Sequence, residues 1–204
     1  MIKGTPELIS ERREEIVSAC EKLYQTMSFR EITLKEIGNE VPFSRPTIYN
    51  YFQTKEEIFL ALFEREYRTW TKDLEKIGKK DINNEELAEA VAKSLEKRAL
   101  MLRLLSVNLY DMEENSRIEQ LVEFKKAYCK SVETFDVLLQ KTLPNQDEEE
   151  RRETLVTAFE FIHGVYPYAH ATKKQIEAMK EAGCRYDKKS IYELSLPGLK
   201  KILK

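Results

Sequence analysis

Apolar positions recur along this chain every three to four residues, the period of α-helices. Thr5-Pro6 offers an N-cap and a first-turn proline, after which Ile9, Ile16, Cys20, Leu23 and Met27 mark one inward stripe. Thr33 is the next N-cap, with Glu36 to close a capping box and Leu34, Ile37 and Val41 on one face. Pro42 stops that helix, because proline disfavours helical geometry in the residue before it. Phe43 is expected to plug the turn. Ser44 then caps a helix of about two turns, with Arg45, Pro46 and Thr47 in its first turn and Ile48 and Phe52 inward. Thr54 caps a longer helix, Glu57 again closing a box, and Phe59, Phe63, Tyr67, Trp70, Leu74 and Ile77 form its stripe.

The polar break 78–84 is the expected seam between domains. Asn83 and Glu86 restart a helix bearing Leu87, Val91 and Leu95. The apolar stretch 99–112 is expected to be buried, and 111–116 to be an acidic turn. A long helix is expected over 117–143, with Ile118, Leu121, Val122, Tyr128, Cys129, Val132, Phe135 and Leu139 inward, ended by Pro144-Asn145. The charge run 146–153 reads as the solvated start of a helix, its acids favouring the N-terminus. From Leu155 to about Ala171 the apolar stripe is broad, adding Ala158, Phe159, Ile162, Val165, Tyr166 and Ala169, so burial on more than one side is expected. A short amphipathic helix over 172–182 and a last one over 190–204, bent or broken at Pro197-Gly198, complete an all-α plan.

The segment Thr33–Lys55 concentrates the functional signal. Two short capped helices joined by a tight turn leave Arg45, Thr47, Tyr49 and Asn50 outward, with no acidic residue between Ser44 and Lys55. A helix-turn-helix places its second helix in the DNA major groove and needs such a surface. The plain alternative is a set of short helices in an ordinary all-α domain; caps taken singly are weak signals.

The residues Arg13, Ile16, Ala19, Leu23, Tyr24, Phe29, Thr33, Ile37, Gly38, Ser44, Thr47, Tyr49, Tyr51, Phe52, Lys55 and Glu56 resemble, in order and spacing, the N-terminal part of the TetR family of transcriptional regulators. The resemblance implies a three-helix helix-turn-helix DNA-binding head over 1–54. It implies a helical-bundle ligand-binding and dimerisation body over 55–204, with the helix from about 55 to 77 linking the two. By that resemblance Arg45 contacts bases, Thr47 and Tyr49 contact phosphates, Asn50 sits toward the bases and Lys55 lies near the backbone. Thr33, Ser44, Pro46 and Tyr51 complete the expected DNA-binding set. Pro42-Phe43 stands where the family has Gly-Val, and Pro46 where it has Gly or Ala; both bear on the angle of the recognition helix.

Charge changes this picture little. The chain has 204 residues and a formal net charge of −2. That argues against a general nucleic-acid coat but not against a reader whose docking face alone is basic. Cys20, Cys129 and Cys184 are odd in number and far apart, which suits a reducing cytoplasm. Cys20 and Cys129 are expected as buried thiols. No apolar run is long enough for a membrane span, and no signal-peptide pattern opens the chain.

A two-fold DNA reader dimerises to match paired half-sites of a palindromic operator. The helix over 155–171 with the last helix is the expected homodimer seam, through Leu155, Phe159, Ile162 and Tyr166. Trp70, Tyr110, Phe124, Tyr128, Phe159, His163 and Tyr166, with Met112, are the candidate walls of a small-molecule pocket, the plain alternative being ordinary core. Glu160 and His163 form a Glu-x-x-His pair, but a di-iron site needs further ligands and no metal or other cofactor is expected. Phosphate loops and nucleophile elbows are lacking, so an enzyme ranks below a helical protein-protein interaction module without DNA binding. The expectation is a cytoplasmic, homodimeric, ligand-responsive transcriptional regulator, repression favoured, that binds double-stranded DNA and an effector of unknown class.

Overall fold

The computed structural model describes residues 5–107 and 109–204, Val107 by its backbone alone. Among these are eleven helices: α1 (Pro6–Tyr24), α2 (Leu34–Asn39), α3 (Arg45–Ile48), α4 (Lys55–Gly78), α5 (Asn84–Glu96), α6 (Ala99–Val107), α7 (Leu109–Glu114), α8 (Ile118–Thr142), α9 (Glu148–Ala169), α10 (Lys173–Glu181) and α11 (Ile191–Ile202). The described residues form an all-α fold. Asn108 and the first four residues, where the expected apolar stretch and chain start partly fall, lie outside the described set.

Two compact units divide the chain: residues 1–65 with 108–128, and 66–107 with 129–204. Helices α4 and α8 each contribute residues to both. The polar break 78–84 lies inside the second unit, where it joins α4 to α5, and is not the seam.

In the first unit, Ile16, Cys20 and Tyr24 of α1 meet Ile32, Ile37, Ile48, Phe52 and Phe59, all at most 1% exposed. Tyr24 meets Phe59 edge to face and Phe29 lies tilted against it, with ring centroids 5.0 and 4.7 Å away. Burial pushes the Cys20 thiol far above its ordinary range, which keeps it protonated and inert. Arg65 of α4 reaches Glu14 and Glu21 of α1 and fastens the two helices from outside.

In the second unit, Trp70, Phe135 and Phe159 form an aromatic cluster with centroids 5.8–6.4 Å apart. The Trp70 indole N–H donates to Ser94 Oγ at 3.0 Å, so its one polar atom is satisfied. Helix α11 packs on α5 and α9, and α6 packs on α9.

Both internal prolines are accommodated. Pro167 lies inside α9 and lacks the N–H that would bond the carbonyl of His163. That carbonyl instead accepts the hydroxyl of Ser106 from α6 at 2.9 Å. Pro197 does not break α11, which runs on to Ile202. Its neighbour Gly198 is there for space: an added Cβ would sit 2.2 Å from Phe161 Cζ.

Three expectations about burial in α8 fail, for one reason. Helix α8 is apolar on more than one side, and packing selects Phe124, Ala127, Ser131, Phe135 and Leu138 as its buried face. Ile118 and Val122 are left 65% and 42% exposed, and Cys129 is exposed. The stretch 111–116 begins in a short helix instead of an acidic turn, and Tyr110 beside it is 80% exposed.

The Phe161–Gly198 contact predicts an interaction that changes sign. Gly198→Ala should lower stability by about 1 kcal/mol in the native background, where overpacking outweighs helix propensity. In a Phe161→Ala background the same change should raise stability by about 1 kcal/mol, since alanine is the better helix former. Urea unfolding of the four proteins measures this; equal effects in both backgrounds would show that the ring moves aside freely.

Candidate nucleic-acid interface and helical body

The turn between α2 and α3 is built by short-range hydrogen bonds. Thr33 Oγ1 accepts the amides of Lys35 and Glu36 at 3.2 and 3.4 Å. Glu36 closes on the Thr33 hydroxyl instead of the backbone amide that a full capping box uses. Ser44 is the N-cap of α3, but its hydroxyl pairs with Thr47 Oγ1 at 2.9 Å and not with an amide. Phe43 is half-buried against the guanidinium of Arg12, 5.8 Å from ring to Cζ, and does not plug the turn. At Gly38 α2 runs close to α3, and a Cβ there would make ordinary contact with Arg45 Cγ at 3.4 Å and Ile48 Cδ1 at 3.5 Å.

Helix α3 is one turn of four residues, shorter than the sequence pattern suggests. It presents Arg45 and Pro46, followed by Tyr49 and Asn50, to solvent; Tyr49 is 53% exposed and Thr47 half-buried. Ile48 and Phe52 face the core with no exposure. Tyr51, expected with the DNA-binding set, is buried at 7%. Lys55 Nζ donates to the Phe29 carbonyl at 2.7 Å and lies over its ring at 4.4 Å. Thr33 and Ser44 are exposed at the two helix starts.

Behind this surface lies an ion pair that sequence reasoning missed. Glu57 is completely buried, yet it accepts Arg117 Nε at 2.6 Å on one oxygen and Nη2 at 2.9 Å on the other. The amide of Gln53 donates to the same carboxylate at 2.7 Å, and that of Arg117 at 3.2 Å. Glu57 thus does not close a box on Thr54, whose hydroxyl caps α4 from one side only by accepting the Glu57 amide at 3.2 Å. Burial alone would push the Glu57 carboxyl up; the Arg117 fork and the two amides outweigh it and hold the carboxyl below its ordinary range. Nothing in the sequence joins positions 57 and 117.

The candidate pocket residues are divided between the two units. Tyr110, Phe124 and Tyr128 belong to the first unit, where Phe124 packs on Phe63 at 4.9 Å and Tyr128 lies half-buried near Lys125. Trp70, Phe159, His163 and Tyr166 belong to the second. There Trp70 and Phe159 are in the aromatic core, and Tyr166 stacks on His170 at 4.3 Å. Met112 is fully buried. Of the four expected dimer residues, Phe159 and Ile162 are turned into the unit's own core, at 5% and 1% exposure. Leu155 and Tyr166 are half-buried. The side of α9 left open carries Val156, Glu160, Gly164 and Tyr168, with a hollow of about 300 Å³ reaching Phe161 and Leu194. Among the described residues no group of three or more His, Cys, Asp and Glu is placed to hold a metal ion. No helix of the described residues is long and apolar enough to cross a membrane.

Residues 16–62 match the family model described as bacterial regulatory proteins, tetR family, and residues 64–187 that of the tetracyclin repressor-like C-terminal domain. The chain belongs to the TetR family. It is 30% identical over 69 residues to the HTH-type transcriptional regulator HbdR of an Aromatoleum species, covering 34% of this chain and 30% of that protein. It is 33% identical over 54 residues to the regulator EthR of Mycolicibacterium smegmatis, covering 26% and 25%. These alignments span less than a third of either relative. Two solved structures share the fold across nearly the whole chain. The fatty acid degradation regulator FadR of Bacillus halodurans has a TM-score of 0.62 at 15% identity, covering 99% of this chain and 96% of its own. FadR of Bacillus subtilis in complex with stearoyl-CoA has a TM-score of 0.63 at 16% identity, covering 93% and 96%.

The Glu57 environment predicts an acid dependence for this TetR-family chain. The unfolded chain takes up the proton first, because its carboxyl keeps the ordinary value of 4.5. The pair's stabilisation is therefore complete above that value and is lost as the pH falls through the lower folded-state value. In urea unfolding measured downward from about pH 6, Glu57→Gln should give a shallower loss of stability than the native chain. Parallel curves would show that Glu57 does not carry the effect.

Proposed function

We propose that this chain is a cytoplasmic, homodimeric, sequence-specific DNA reader, a repressor released by a small-molecule effector. The observation that carries the reading is the exposed α3 surface, where Arg45, Thr47, Tyr49 and Asn50 stand together with no acid from Ser44 to Lys55. A guanidinium beside amide, hydroxyl and phenol groups suits base edges and phosphates of a major groove. In this reading the head is 1–54 and the body 55–204. Lys55 and the α2 and α3 starts at Thr33 and Ser44 lie toward the DNA backbone, while Pro46 shapes the first turn of α3.

The open side of α9, with α11, is the proposed dimer seam. Val156 at 50% and Tyr168 at 74% exposure stand beside the apolar hollow at Phe161, Val165 and Leu194. A two-fold contact there is self-complementary, α9 and α11 meeting their own copies. The effector is proposed to bind the body and to favour a DNA-incompetent arrangement, since a ligand with equal affinity for both states changes nothing. Stearoyl-CoA, held by one structural neighbour, is the first compound to screen.

Selection of bound duplexes from a random pool by the purified protein tests this reading. One palindromic site should emerge, with binding that weakens as salt rises. Arg45→Ala and Tyr49→Ala should each cost about 1–3 kcal/mol of affinity for that site, with helicity and dimer intact. A helical interaction module without DNA binding predicts that no site emerges from folded protein.

A further inference from the structure

Helix α3 cannot hold its own geometry. One turn gains too few hydrogen bonds to offset the ordering of its backbone, and the chain from Tyr49 to Thr54 leaves it without regular helix. The direction of Arg45, Tyr49 and Asn50 is therefore set by the burial of Ile48 and Phe52 together with whatever ties down the backbone after α3. Three of those ties lead to one short segment about sixty positions away. Tyr51 C=O accepts Arg117 Nη2 at 3.3 Å. The Gln53 N–H donates to Glu57, which the Arg117 fork grips. Thr54 Oγ1 donates to Asn115 C=O at 3.1 Å.

We propose that Arg117 is a positioning residue for DNA reading: through Glu57 and the Tyr51 carbonyl it locks the exit of α3 and so aims Arg45, Tyr49 and Asn50. The fork matters as well as the charge. A planar guanidinium reaches both carboxylate oxygens and keeps a hydrogen for Tyr51, whereas a lysine ammonium is a point donor. The Glu57 carboxylate also lies against the backbone amide that opens α8, so the pair joins the start of α8 to the start of α4. Neither is one of the exposed α3 side chains: Glu57 is fully buried, and the Arg117 side chain is 39% exposed beside the Tyr51 carbonyl.

The inference rests on the DNA-reading function proposed above, and its test separates the two. Full-length protein is titrated by fluorescence anisotropy against its selected duplex at several salt concentrations. Native protein that binds no duplex overturns the reading itself before any variant is made. With native binding established, Arg117→Gln and Glu57→Gln are each expected to weaken binding at least tenfold. The double variant should be no weaker than the worse single one, because both break the same lock. The slope of affinity against salt should match the native slope, since no phosphate contact is lost. The Glu57 variant is decisive: removing a negative charge near DNA would otherwise help binding.

Tight binding by Glu57→Gln, together with a reduced salt slope for Arg117→Gln, would overturn the proposal and make Arg117 a direct phosphate contact. Native affinity in both variants, with only a lowered melting temperature, would overturn it in favour of a purely structural pair. Arg117→Lys keeps the charge without the fork and serves if the glutamine variant does not fold. A severalfold loss with accelerated hydrogen exchange at the Gln53 amide is expected, and native affinity with native exchange would overturn the proposal.

Discussion

Helix α4 is the constraint on which both units depend. It is a single α-helix of 24 residues with no glycine or proline before its terminal Gly78, about 36 Å long at the standard rise. Its buried side supplies Ile58, Phe59, Leu62 and Phe63 to the first core and Tyr67, Trp70, Leu74 and Ile77 to the second. Over 57–64 every side chain is buried, Leu60 and Ala61 included, so the helix is enclosed all round there; farther on, steps of three and four keep Tyr67, Trp70, Leu74 and Ile77 on one face. The elements with large aromatics, α1, α8 and α9, then pack against a surface that is already specified.

Within that apolar frame, the few buried polar groups decide geometry more than they decide stability. A buried ion pair gains little over well-packed apolar side chains, but removing one partner strands a charge. Glu57 and Arg117 therefore hold a definite arrangement, with the Gln53 and Arg117 amides completing the carboxylate's hydrogen bonds. The same logic appears at Ser106, which satisfies the carbonyl that Pro167 leaves open, and at Ser94, which accepts the Trp70 indole. Each is a polar contact between residues on different helices whose loss would leave an orphaned group in a dry environment.

The helical plan was largely legible in the sequence because helix signals are local. Thr5, Thr33, Asn83, Thr172 and Ser190 all stand at the N-cap positions their side chains suggest. The α4 stripe is buried as its spacing implies. The exposed character of Arg45, Tyr49 and Asn50 was legible too, since Ile48 and Phe52 claim the other face. Errors gathered where one helix offers two apolar faces. For α8 periodicity alone does not rank the faces, and the choice fell on the neighbours: Phe124 against Phe63 and Phe135 against Trp70.

The sequence by itself determined most of the helices, several of their N-caps and the chemistry of the α3 surface, because those follow from backbone sterics and from hydrogen bonds within a few residues. Only the tertiary structure decided which faces are buried, that Pro197 sits inside an intact helix, and that Glu57 turns from a local cap to Arg117. Those outcomes depend on groups 15 or more positions apart, such as Asp136 and Arg151 or Glu57 and Arg117. No local pattern encodes such pairs; they form when packing brings distant groups within reach and, at Glu57, removes water from one partner and leaves the other as its best hydrogen-bonding group.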